Sequence, residues 1–193
     1  MTESDSADGD VGVISTASGW YGEPQTPSGG TLLLAIANPL LDMVVQMRAS
    51  TTILPEQLRT YLVGEIRRFQ ERAARALIPQ ETIVAARYCL CTVLDETAAL
   101  TTWGGNGVWS SHSLLVTFHN ETWGGEKFFQ LLARLTRNPT LHIDLIELFY
   151  YCLALGFEGR YRVLERGNAQ LAEIKQRLRK LIRSGRGTYE HAL

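Results

Sequence analysis

From Leu32 onward the apolar positions recur at intervals of three and four residues and never settle into alternation, so the elements predicted are helices and no strands. Asn38-Pro39 reads as a cap followed by proline at the first helical position, opening a helix that runs to about Ala49. Pro55 opens a second, with Leu58, Leu62, Ile66, Phe69, Ala73 and Ala76 on one stripe and Arg59, Glu65, Arg67, Arg68, Glu71 and Arg72 mostly on the other. Pro79 opens a third that reaches about Leu100 and is apolar around most of its girth, the mark of a central helix. Gly104, Gly105 and Gly107 force a loop after Trp103. Trp109 to Phe118 is helical or mixed, and His119 to Gly125 is a second loop. Helices over 126–136 and 141–155 follow, separated by Asn138-Pro139, and Gly156 to Gly159 is a turn. A last helix over 168–183 places Leu171, Ile174, Leu178 and Leu181 on one stripe. The expectation is an all-α domain of six to eight helices.

Composition narrows the class. At 193 residues, with 45% apolar and 20% charged positions, the chain is an ordinary globular protein large enough for a core without disulfides or metals. Its net charge of −1 argues against a nucleic-acid binder that relies on overall electrostatics. No uninterrupted apolar run approaches the ~20 residues of a membrane span, and no secretory leader opens the sequence. Charge is nonetheless uneven. Residues 1–30 hold Glu3, Asp5, Asp8, Asp10 and Glu23 and no Lys or Arg, whereas Arg160 to Arg186 carries nine basic residues against Glu165 and Glu173. The first segment is rich in Ser, Thr, Gly, Asp and Pro and is expected to be disordered, with Trp20-Tyr21 as an aromatic island; the tail is assigned to 1–35 and the helical domain to 36–184. Cys89, Cys91 and Cys152 are odd in number and lie in helical pattern, so they are read as buried thiols of a reducing, cytoplasmic setting.

Candidate chemistry is sparse. There is no metal-binding H-E-x-x-H or C-x-x-C spacing, no calcium loop and no glycine-rich phosphate loop after a strand, so no cofactor is expected. A hydrolase or metal enzyme built from Asp95, Glu96, His119 and Glu121 is the alternative reading. Asp95-Glu96 is the more informative pair. Asp95 lies beside the stripe Val84, Cys91 and Ala98, and Glu96 follows Ala85, Cys89 and Thr92, a strip of small side chains that another backbone could approach closely. Buried carboxylates cost several kcal/mol unless they are paired or hydrogen-bonded. Either the pair bonds to backbone N–H groups or to Arg87 or Arg160, or it walls a groove that receives a partner. In the first case replacing both acids costs much stability; in the second it costs partners and little stability. Trp103, Trp109 and Trp123, each near glycines, are expected to plug helix junctions.

Three blocks carry a resemblance: Ala86 through Glu96, Ser113 through Phe129 with His119-Asn120-Glu121-Thr122-Trp123-Gly124-Gly125-Glu126, and His142 through Arg162 with Gly156-Phe157-Glu158-Gly159-Arg160. Together they resemble the TssL (DotU, IcmH-like) family of bacterial secretion systems over roughly residues 38–184. The resemblance implies two three-helix bundles with short extra helices, forming a hook with a cleft. It implies a non-enzymatic scaffold on the cytoplasmic face of the inner membrane, anchored by a C-terminal membrane helix that this chain lacks after a short tail over 185–193. The implied partners are TssM and TssJ of the membrane complex and TssK and TssE of the baseplate, with self-association mainly through the membrane helix. Asp95 and Glu96 match the family's acidic pair and become partner-binding candidates. Trp103, Trp123, Gly124, Gly125, Glu126, Gly156, Gly159 and Arg160 are the loop motifs. A related type IVB secretion scaffold would fit the same blocks.

Overall fold

The structure, a computed structural model, describes residues 31–49, 55–105, 107, 109–110 and 113–190. The acidic segment and Trp20-Tyr21 lie outside the described residues. Among the described residues there are seven α-helices: α1 (Leu32–Ala49), α2 (Pro55–Arg75), α3 (Gln80–Ala99), α4 (Leu114–His119), α5 (Gly125–Leu135), α6 (Ile143–Ala154) and α7 (Gly167–Glu190), with a 3-10 turn at Gly159–Val163. No strand occurs among the described residues.

Helix α3 is the axis, as its all-round apolarity requires. It packs against α1, α2, α4, α5 and α6, so that α1–α2–α3 and α3–α5–α6 form two three-helix groups sharing one member. Eleven of its residues are buried, among them Tyr88, Leu90 and Leu94. Helix α2 buries the stripe Leu58, Leu62, Ile66, Phe69 and Ala73 and leaves its arginine face in water. Between α5, α6 and the 3-10 turn sits an aromatic cluster, with Phe128 centred 4.6 Å from Phe149 and 4.4 Å from Phe157, and Phe129 4.7 Å from Tyr161. Such pairs add ~0.5–1.5 kcal/mol each beyond the burial itself.

Three boundaries differ from the pattern. Helix α1 starts at Leu32, not at Asn38: the Thr31 hydroxyl accepts from the Leu34 amide at 3.2 Å, and Pro39 lies inside the helix. An interior proline costs about 3 kcal/mol. The extra turns bury Leu33 and Leu34, worth roughly 2–3 kcal/mol each. Burial wins, and residues 32–35 belong to the helical domain. The 18 residues of α1 are also long and apolar enough to cross a membrane, yet eight of them pack into the core while Asn38, Asp42 and Arg48 stay exposed. Helix α7 runs past Arg183 to Glu190, because Gly185 lets it close on Ile143 and Arg186 reaches Asp144 at 3.1 Å and Glu147 at 2.5 Å on α6. Finally, the mixed segment after Trp109 yields only the short α4, capped by Ser113, whose hydroxyl accepts from the Val116 amide at 3.2 Å.

Candidate functional site

The second half of α3 gathers three loops. Asp95 is one turn from the helix end, where the chain leaves for Trp103 and returns at Ser113. Its Oδ1 accepts from the Trp109 indole Nε1–H and the Leu114 amide, both at 2.8 Å, and its Oδ2 from the Leu115 amide at 2.8 Å. One carboxylate therefore closes the loop and satisfies two of the open amides at the start of α4. Burial pushes the Asp95 carboxyl above the usual range, opposed by those amides, the indole and the Ser113 side chain.

Glu96 does the same for a loop more than sixty residues away. Its Oε1 accepts from the Glu158 amide at 3.0 Å and its Oε2 from the Gly159 amide at 2.9 Å, while Arg162 Nη2 donates to Oε1 at 3.1 Å. Gly159 has φ +50, and a Cβ there would stand 2.9 Å from Phe157 Cζ and 3.0 Å from the Gly125 carbonyl. The third loop arrives over the small-residue strip: a Cβ on Gly124 would come within 2.5 Å of Thr92 Oγ1, and Gly125 lies against the backbone of Gly159 and Arg160. At Thr92 the strip does admit a close backbone, and that backbone belongs to this chain.

The pair is thus bonded to backbone amides and does not wall a groove with free oxygens. The cation beside Glu96 is Arg162. Arg160 pairs with Glu126 at 2.7 Å and lies over the rings of Phe129 and Tyr161, and Arg87 donates to His119 Nε2 at 3.3 Å. Gly156, at φ +98, follows α6 and offers its carbonyl to Arg48 Nη2 at 2.9 Å. Trp109 is buried and Trp103 packs edge-on against it at 6.2 Å, as plugs should; Trp123 departs from that expectation and is 70% exposed. Leu100, Val163 and Leu164, on the same three connections, are exposed as well. The pattern did not single out Arg162 or the Leu114 and Leu115 amides; the Ser113 cap before Leu114-Leu115 was the available signal for them.

His119 and Glu121 form a separate cluster at the end of α4. Tyr88 Oη donates to Glu121 at 3.0 Å, Lys127 pairs with Glu121, and His119 packs edge-on against Tyr88 at 5.0 Å. Burial, with Arg87 and then Lys127 adding positive charge against an opposing Glu121, lowers the His119 pKa to about 4, so the ring is neutral at pH 7. Burial opposes, but the hydrogen bonds from Lys127 and Tyr88 outweigh it and hold Glu121 below its ordinary range. The four residues of the enzyme reading are therefore not gathered, because Asp95 and Glu96 are turned to other loops. Among the described residues no group of three or more His, Cys, Asp or Glu side chains could hold a metal ion. All three cysteines are free and buried, with Cys89 Sγ 3.5 Å from Cys152 Sγ.

Fold and site together define an all-α body whose polar chemistry is spent on fixing its own loops and whose loops present apolar side chains to solvent. Comparison with known proteins gives the particular family. The model of the type VI secretion system protein DotU family matches residues 32–193, and the chain belongs to that family. The crystal structure of TssL from Vibrio cholerae is similar at 37% identity and a TM-score of 0.73, over 80% of this chain and 97% of that one. The cytoplasmic domain of TssL from Acinetobacter baumannii (22% identity, TM-score 0.69, over 77% of this chain and 98% of that one) shares the fold. So does SciP/TssL from enteroaggregative Escherichia coli 042 (20%, 0.63, over 74% and 84%). Curated protein sequences gave no match.

Proposed function

We infer that this domain is a non-catalytic docking scaffold of a type VI secretion system, on the cytoplasmic face of the inner membrane, joining TssM and TssJ to the baseplate proteins TssK and TssE by protein contacts. The family match over residues 32–193 carries this reading. The geometry adds how docking would work. Asp95 and Glu96 act as positioning residues: they hold two of the three loops, the third packs on Thr92 and the Gly159 turn, and Trp123, Leu100, Val163 and Leu164 are left outward. An exposed tryptophan on a rigid frame is the kind of anchor that dominates protein interfaces, and the aliphatics extend the apolar surface around it.

The test is capture of purified TssK, TssE and the TssM cytoplasmic segment by the wild-type chain, Trp123→Ala and Val163→Glu, each with a melting curve. The expected result is weaker capture by at least ten-fold, about 1.4 kcal/mol, for one or more partners at unchanged melting temperature. Undiminished capture of all three by both variants would remove these loops from the docking surface.

A further inference from the structure

Helices α6 and α7 leave an open groove between them, away from the acid-pair loops, lined by Glu147, Tyr150, Tyr151, Arg179, Ile182 and Arg183. It combines aromatic walls with positive charge. Arg179 donates to the Tyr150 hydroxyl at 2.9 Å and lies over that ring, and Tyr151 is 40% exposed. Glu147, the acid in the lining, is held by Arg186 at 2.5 Å. Arg183 and the neighbouring Lys180 have no carboxylate partner among the described residues. A groove of this kind fits an extended acidic segment that carries aromatic side chains.

The chain contains one such segment. Residues 1–30 hold five acids, no Lys or Arg, and the pair Trp20-Tyr21, and they precede the part that matches the family, which starts at residue 32. The attachment point is favourable. Helix α1 packs against α6, and its last turn meets the end of α6 through Arg48 and Gly156, so Thr31 stands at the other end of α1, about 27 Å along the helix from that contact. Ten residues separate Tyr21 from Thr31, which when extended reach about 35 Å. That exceeds the ~27 Å length of α1, and so covers the distance along the helices from Thr31 to Tyr150 and Tyr151. We propose that the acidic N-terminal segment docks within its own chain on the α6–α7 groove, by charge complementarity with Arg179, Lys180 and Arg183.

The experiment is fluorine NMR of the full chain labelled with fluorotryptophan, which gives one signal for each of its four tryptophans. Trp20→Phe assigns the tail signal. Docking predicts a Trp20 signal displaced from that of free fluorotryptophan, independent of protein concentration. It should return most of the way to the free position in Arg183→Glu, in Arg179→Glu and in about 0.5 M salt, where the screening length falls to ~4 Å. Arg177→Glu makes the same charge change elsewhere on α7 and should leave the signal displaced. Unmoved signals of Trp103, Trp109 and Trp123 show that each variant is folded; if Arg179→Glu unfolds, Arg183→Glu carries the test. A Trp20 signal at the free position in the wild type overturns the proposal and leaves the groove to a partner protein. A displaced signal that ignores Arg183→Glu overturns the groove as its site, and one that tracks concentration overturns docking within one chain.

Discussion

Replacing Asp95 by alanine should be among the more damaging single changes in this domain, and the structure gives the size. The carboxylate accepts three hydrogen bonds at 2.8 Å, from Trp109, Leu114 and Leu115. Bonds to a charged acceptor contribute roughly 1.5–3 kcal/mol each, which sets a gross ceiling of about 5–9 kcal/mol. Two effects reduce it. The loop can open and give its amides to water, and the variant no longer carries the desolvation cost that raises the Asp95 pKa. A net loss of about 3–4 kcal/mol remains, within the range for breaking a buried charged interaction from one side. For a chain of this size that lowers the melting temperature by about 10 °C. Urea unfolding followed by circular dichroism measures the loss. Hydrogen exchange at the Leu114 and Leu115 amides tests the cause, since both should exchange faster than the interior amides of α3. A loss below ~1 kcal/mol, or unchanged exchange at those two amides, would refute the clamp.

Other consequences are open to direct measurement. His119 has its pKa lowered to about 4, so the unfolded chain binds the extra proton first as pH falls. Stability present above pH ~6.5 should therefore be lost progressively toward pH 4, by ~1–2 kcal/mol once the ring's partial exposure is discounted. Glu121, with its pKa lowered, acts in the same sense on its own titration, and unfolding of His119→Gln between pH 7 and 4 should show a shallower slope than wild type. An identical slope would count against His119. Leu77 sits at φ 57 with 90% of its surface in water, a left-handed conformation that costs a leucine ~1–2 kcal/mol. Leu77→Gly should therefore raise the melting temperature by about 2–4 °C; no gain would mean the side chain contributes more than its exposure indicates. Gly159→Ala forces a Cβ to within 2.9 Å of Phe157 Cζ at positive φ and should cost ~2–3 kcal/mol in thermal unfolding, whereas a neutral outcome would show that the Glu96-bound turn yields.

Helix positions were legible wherever burial is one-sided and periodic. The stripe on α2, the all-round apolarity of α3 and the stripe on α7 fix those elements through local spacing alone, and the apolarity of α3 places it at the centre. The sequence by itself also established that Asp95 and Glu96 must be partnered and that the Ala85–Cys89–Thr92 strip would admit a backbone. Both follow from side-chain size and desolvation, which belong to the residues. Which groups answer was decided by tertiary structure. Asp95 finds amides nineteen and twenty residues on, and Glu96 a turn more than sixty residues on, through loops that carry no periodic signal. Pro39 shows the competition from the other side: locally it marks a helix start, yet the burial of Leu33 and Leu34 against the rest of the domain outweighs the lost hydrogen bond. Spacing records what each residue must avoid in water. The direction in which a loop returns, and so whose amide meets which carboxylate, exists only once the helices have packed.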